Sequence, residues 1–244
     1  MISSLEEVLI KENIFGNKAR NLSILINHGI LVPRGVAISY EYYLYYLKFR
    51  KLDKDFKREL LKKLEKYSGQ FAVRSSADVE DSEFKSYAGF FKTVLDVPKK
   101  GILKAIKQIY DSGINFNSPY SNTQVRMGII IQEMIEAEIS GIIFTYDIIN
   151  KNPNSLMVEL CYCKCENIVS GKINPSLYII NKNSGKTILF EQGDQNVSLN
   201  RHQLDEILQN AKKIEKIFGK PQDIEFSFNS NKFYCLQSRN ITTI

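Results

Sequence analysis

Along this chain, apolar positions keep first one period and then another. Leu22, Leu25 and Ile26 recur at helical spacing within Lys18–His28, which follows the polar turn Asn13–Asn17 and is closed by Gly29. The same spacing predicts helices from Glu41 to Arg50 with Ser39 as N-cap, from Asp53 to Tyr67, and from Ile102 to Tyr110 closed by Asp111–Gly113. A last helix runs from His202 to Phe218, with Leu204, Ile207, Leu208, Ala211, Ile214 and Ile217 as its core face. Short strand-like runs lie between them: Val36–Ile38, Phe71–Val73, Phe90–Val97, Gly128–Ile131, Gly141–Thr145, Leu156–Cys161, Leu177–Ile180 and Thr187–Phe190. These elements do not alternate as regular βαβ units and no fixed-period repeat is present. The pattern therefore predicts an α+β fold with mixed or antiparallel sheets rather than a doubly wound one. The polar stretch Asn115–Thr123 divides the chain into a first lobe, residues 1–125, and a second, residues 126–244.

Two stretches depart from simple packing patterns. Ser75 to Ser86 is too small and too polar for a core element, and reads as a flexible loop between strands, with Gly89 permitting close backbone approach; lids over phosphates are built this way. Near the other end, Gln222–Phe228 alternates Asp223, Glu225 and Ser227 with Ile224, Phe226 and Phe228, and Lys232–Gln237 is again strand-like after the turn formers Asn229, Ser230 and Asn231. A hairpin is predicted. Glu225 lies between aromatic neighbours, and Gln237 and Arg239 follow the apolar run Phe233–Leu236, where a plain core strand has no use for them. A carboxylate and an amide oxygen on facing strands, with a guanidinium two residues on, could hold an oxygen-ligated divalent cation against a polyphosphate; a surface hairpin with solvated charges is the alternative. The metal reading carries a geometric demand. Glu225 and Gln237 sit opposite one another only if the connecting loop has an odd number of residues, about three or five, because an even loop turns one of them away.

The 244 residues are 43% hydrophobic and 25% charged, which suits a globular protein with a substantial core. No apolar run reaches about 18 residues. The start, MISSLEEVLI, has Glu6 and Glu7 where a signal peptide has a basic region, so a cytoplasmic protein is expected, without a membrane partner. Cys161, Cys163 and Cys165 alternate as strand residues on one face do, with Cys235 far along the chain; reduced thiols are expected, since a soft-metal site at that spacing lacks a nearby His. The net charge is +6, but the lysines are spread through helical segments and no basic run is interleaved with stacking aromatics. This is a basic surface suited to phosphate-bearing small ligands rather than to nucleic acid.

Several stretches together resemble one family, the ATP-grasp nucleotide-binding domain of phosphoenolpyruvate synthase, pyruvate phosphate dikinase and rifampicin phosphotransferase. GNKARNLSIL (Gly16–Leu25) and ILVPRGVAIS (Ile30–Ser39) are similar to its opening segments, and VRSSADVEDSEFKSYAGFFKTVLDV to its Arg-Ser-Ser-Ala signature. IIIQEMIEAEISGIIFTYD (Ile129–Asp147), NIVSGKINPSLY and FGKPQDIEF…LQSRNIT follow in the family's order, so the likeness runs from about Gly16 to Thr242. The resemblance implies a two-lobed α+β fold with the nucleotide in the interlobe cleft, the phosphate-covering loop in the first lobe, and the adenine hinge and metal-binding hairpin in the second. It implies that Lys18 and Arg74 neutralise the phosphates of ATP, with Gly89 and Thr93 where the covering loop closes. Gln132, Glu133 and Ile135 would read the adenine edge with Met134 packing nearby; Glu225 and Gln237 would hold Mg²⁺, and Arg239 would contact the transferred phosphate. The implied activity is ATP-dependent phosphoryl transfer to an acceptor, a histidine on another domain or chain. A small-molecule acceptor (a pyruvate-like acid, an antibiotic hydroxyl, an amide) and a non-catalytic nucleotide sensor are the alternatives. This chain departs from the family in having Cys163, Lys164 and Cys165 where a glycine turn before Glu166 is usual, and Asn240 in place of a Pro. Its two histidines, His28 and His202, match no family motif.

Overall fold

The structure, a computed structural model, describes residues 1–10, 14–78, 81–82, 85–86, 92–114, 125–162, 168 and 171–241. The chain divides into two compact units, one of Met1–Asn27 with Pro33–Met134 and one of His28–Val32 with Ile135–Ile244.

The first unit comprises, in order, β1 (Ile2–Ser4), α1 (Asn17–Asn27), β2 (Gly35–Ile38), α2 (Tyr40–Phe49), α3 (Lys54–Leu64), β3 (Gln70–Ala77), β4 (Asp81–Ser82), β5 (Lys85–Ser86), β6 (Thr93–Pro98), α4 (Ile102–Ile114) and β7 (Met127–Glu133). A five-stranded antiparallel sheet has the order β1-β2-β7-β3-β6, and β4 pairs with β5. Strand alternation gives this sheet two unlike faces. Val36, Ile38, Phe71, Val73, Ile129 and Ile131 face a core completed by Tyr43, Phe56, Leu60, Ile106, Ile109 and Tyr110 from α2, α3 and α4. The opposite face presents Gly35, Ala37, Ala72 and Ser76. The start of α1 packs there, and the Ala19 amide donates to Ser76 Oγ at 3.1 Å.

That close approach corrects the reading of Ser75 to Ser86 as a loop at its start; residues 79–80 and 83–84 lie outside the described residues. Ser75, Ser76 and Ala77 are fully buried residues of β3. Ser76 is small because the chain before α1 lies on it: Gly16 has φ of +82°, and a Cβ there would stand 1.9 Å from the Ser76 carbonyl oxygen. Ala77, on the other face of the strand, belongs to the core beneath α2–α4. At Ser76 a small polar residue marks backbone contact, not solvent. Gly35 of β2 likewise allows close backbone approach, since a Cβ there would lie 2.2 Å from the Ile131 oxygen of the neighbouring β7. The sequence-based division at residue 125 also differs from the structure, because β7 lies between β2 and β3 in the middle of the first sheet and carries the first unit on to Met134. The edge strand β1 was not anticipated; its three residues carry too little periodicity to be read. Ser39 makes no side-chain cap of α2, its hydroxyl instead donating to Glu41 at 2.9 Å.

The second unit holds β8 (Ile139–Phe144), β9 (Ser155–Cys161), β10 (Ser176–Asn181), β11 (Thr187–Glu191), α5 (Arg201–Phe218), β12 (Gln222–Asn229) and β13 (Lys232–Asn240). They form a six-stranded antiparallel sheet, order β11-β10-β9-β8-β12-β13. Helix α5 begins at a capping box: Asn200 Oδ1 accepts from the Gln203 amide at 2.9 Å, and Gln203 Oε1 accepts from the Asn200 amide at 3.0 Å. Its buried positions are Gln203, Ile207, Ala211 and Ile214, while Leu204, Leu208 and Ile217 are half-buried. On one face of β12 and β13, Phe226 stacks on Phe233 at 5.4 Å, with Phe228 edge-on to both. His28–Val32 joins this unit, where the Cys235 amide donates to the Leu31 oxygen at 2.8 Å. No described helix is long and apolar enough to cross a membrane.

Candidate functional site

In the first unit Arg74 and Thr93 lie on the small-residue face, against which the start of α1 packs. Lys18 is the second residue of α1 and only 9% exposed. A cation at the positive end of a helix gains nothing from the helix dipole, and the two together suit a bound anion. Arg74 of β3 lies directly opposite Thr93 of β6 and Ile130 of β7, so Arg74, Thr93 and Gln132 share that face. Gly89 lies outside the described residues, as do Cys163, Cys165 and Glu166.

The expected adenine hinge closes the first unit. Arg34 binds Glu133 through two parallel bonds, Nε to Oε2 at 2.9 Å and Nη2 to Oε1 at 3.1 Å, and the Ser68 amide donates to Oε1 at 3.0 Å. The Glu133 hydrogen bond and charge raise the Arg34 pKa above its ordinary value. The Tyr67 ring lies 5.8 Å from the same guanidinium, and its hydroxyl, pushed up to about 12 mainly by burial, donates to the Gly35 oxygen at 3.0 Å. Gln132 is buried and its side-chain amide donates to the Pro33 oxygen at 3.3 Å. Both hinge side chains are thus engaged within their own unit, and the Met134 amide donates to the Gln70 oxygen at 2.9 Å. Ile135, half-buried, begins the second unit.

The hairpin β12–β13 meets the geometric demand set by the sequence, by a different route. Its turn is even: Asn229 pairs with Lys232 across only Ser230 and Asn231, both with positive φ, as a tight hairpin turn requires. From Asn229 to Phe226 this register would place Glu225 opposite Leu236. A bulge intervenes, the pairing moving from Phe226↔Cys235 to Glu225↔Gln237 with Leu236 as the extra residue. One inserted residue therefore restores the odd offset and returns Glu225 and Gln237 to the same face. Asp223 and Arg239 are paired one step further on that face, the guanidinium donating to Asp223 Oδ2 from Nε at 2.8 Å and from Nη2 at 2.6 Å.

The row continues across the sheet, from Gln237 and Glu225 through Ile142 of β8 to Glu159 of β9. Burial first, and then the charge of Asp223, hold the Glu159 carboxyl above its ordinary pKa. Asp223 and Glu159 were not singled out from the sequence; the signal for Asp223 was its period-two spacing from Glu225, mirrored by Gln237 and Arg239. Among the described residues no cluster of three or more His, Cys, Asp and Glu side chains is arranged for a metal. A cation on this face would rest on one carboxylate and one amide oxygen, with phosphate and water completing its shell, as Mg²⁺ is commonly held. Cys161 and Cys235 are buried thiols in no disulfide.

Comparison with known proteins bears on this arrangement. Residues 54–201 and 186–244 match the family described as pyruvate phosphate dikinase, AMP/ATP-binding domain. The chain belongs to this family. It is 29% identical to the uncharacterized phosphotransferase YvkC of Bacillus subtilis over 94% of this chain and 33% of that protein. It is 32% identical to a probable phosphoenolpyruvate synthase of Methanocaldococcus jannaschii over 71% of this chain and 17% of that protein. The chain thus spans a third or less of the length of these curated relatives. The D-Ala:D-Ser ligase VanG of Enterococcus faecalis is similar in fold, with a TM-score of 0.50 over 93% of this chain and 53% of the ligase at 13% identity. The α+β fold is of the ATP-grasp kind.

Proposed function

We propose that this pyruvate phosphate dikinase-type domain binds ATP with Mg²⁺ and acts as the phosphoryl-donating part of a phosphotransferase. In this reading Lys18 and Arg74 neutralise the phosphates from the first unit, Thr93 and Gly89 lie against them, and the main chain of Gln132, Glu133 and Ile135 reads the base beside Met134. Glu225 and Gln237 hold Mg²⁺ on the second unit, and Arg239 contacts the phosphate that is transferred. The observation that carries the reading is the Glu225↔Gln237 pair, created by a bulge that a plain hairpin does not need.

Phosphoryl transfer asks for positioning and for neutralisation of charge spread over the phosphate oxygens, and the cationic side chains supply both. Bound Mg²⁺ supplies further charge neutralisation at the phosphates. The acceptor is read as a histidine on another domain or chain, since His28 and His202 are both exposed and neither lies in a matched motif. Buried thiols in no disulfide fit a reducing cytoplasm.

Calorimetric titration with a non-hydrolysable ATP analogue and Mg²⁺ tests the reading. Arg74→Ala and Glu225→Ala are each expected to weaken binding about tenfold or more, the loss of a charge-assisted contact, with little change in unfolding temperature. Unchanged affinity with a large loss of thermal stability in both variants would refute the site.

A further inference from the structure

The hairpin carries a second cross-strand pair beside the proposed metal ligands. Asp223 and Arg239 are directly opposite, one step from Glu225 and Gln237, so the four residues form a two-by-two block on one face of β12 and β13. Both donors on the Nε edge of the guanidinium meet the same oxygen, Asp223 Oδ2. The carboxylate is the more buried partner, its side chain 12% exposed against 29% for the arginine. The better-covered carboxylate therefore holds the more exposed guanidinium in place. An arginine side chain otherwise has rotamer entropy to lose on meeting a ligand, and a tether removes much of that loss in advance.

We propose that Asp223 is a positioning residue: it orients Arg239 for the terminal phosphate of a nucleoside triphosphate, so that the block distinguishes triphosphates from monophosphates. This inference rests on the ATP reading above and goes beyond it, since the discrimination is assigned to a residue that itself touches no phosphate.

Titrations of the full chain with an ATP analogue and with AMP, both with Mg²⁺, test the proposal. Arg239→Ala is expected to weaken the analogue about tenfold and AMP by less than about twofold. Asp223→Ala should weaken the analogue about fivefold with AMP again spared, and the double variant should be no worse than Arg239→Ala, because the two residues act as one unit. Asp223→Asn should recover much of the loss, since an amide oxygen can accept the same two N–H bonds. Asp223→Ala with wild-type affinity for the analogue, additive losses in the double variant, or equal losses for AMP and the analogue together with a lowered unfolding temperature would each overturn it in favour of a structural staple. Failure of the wild-type chain to bind the analogue would sink the ATP reading and this proposal with it. Wild-type binding with an indifferent Asp223→Ala would sink this proposal alone.

Discussion

In the first unit, Lys18 and Arg74 are set by how closely backbones pack, whereas in the second, Glu225, Gln237 and Arg239 are set by strand register. The first arrangement depends on absent side chains: Gly16 and Gly35 let α1 and β2 lie where any Cβ would collide with main chain. The second depends on one residue too many, Leu236, whose bulge shifts the rest of β13 by a single position. Damage to the first should therefore appear as lost stability. Damage to the second should appear as lost chemistry in a folded protein.

The largest expected effect breaks the first unit. Gly16→Ala puts a Cβ against the Ser76 carbonyl at a positive φ, and is expected to cost about 3 kcal/mol or more, or to prevent folding of this unit, as measured by chemical denaturation. A wild-type denaturation midpoint would contradict the packing argument.

A smaller effect sharpens the contrast in the second unit. Folding raises the Glu159 pKa, so the folded chain binds its proton more tightly than the unfolded chain does. The resulting stability is fully present below the unfolded pKa and is lost as pH rises through the folded one. Glu159→Gln is thus expected to raise the unfolding temperature at neutral pH, by less than about 3 °C because the group is partly solvated, with the gain vanishing towards pH 4. A gain that grows on acidification would contradict this assignment.

The same contrast explains what could be read from the sequence. Helices α1 to α5 and the central strands were legible because their apolar periods reflect burial in local cores. The pairing of Glu225 with Gln237 was legible as a demand but not as a mechanism, since a bulge leaves no mark in the alternation of Lys232–Gln237. Ser76 was misread because small residues serve solvent exposure and tight backbone contact alike, and only Gly16, far away in sequence, tells which. The Arg34–Glu133 pair was invisible for a similar reason, its partners lying 99 residues apart.

Substitution of Gln237 tests the central claim most directly. Affinity for a non-hydrolysable ATP analogue, measured by calorimetry with and without Mg²⁺, should show a metal-dependent gain in the wild-type chain. That gain should fall at least about tenfold in Gln237→Ala, while metal-independent affinity from Lys18 and Arg74 persists. Deletion of Leu236 should keep the gain, because without the bulge Gln237 follows Cys235 directly and still lies opposite Glu225 across the two-residue turn. An undiminished Mg²⁺ gain in Gln237→Ala would contradict the account.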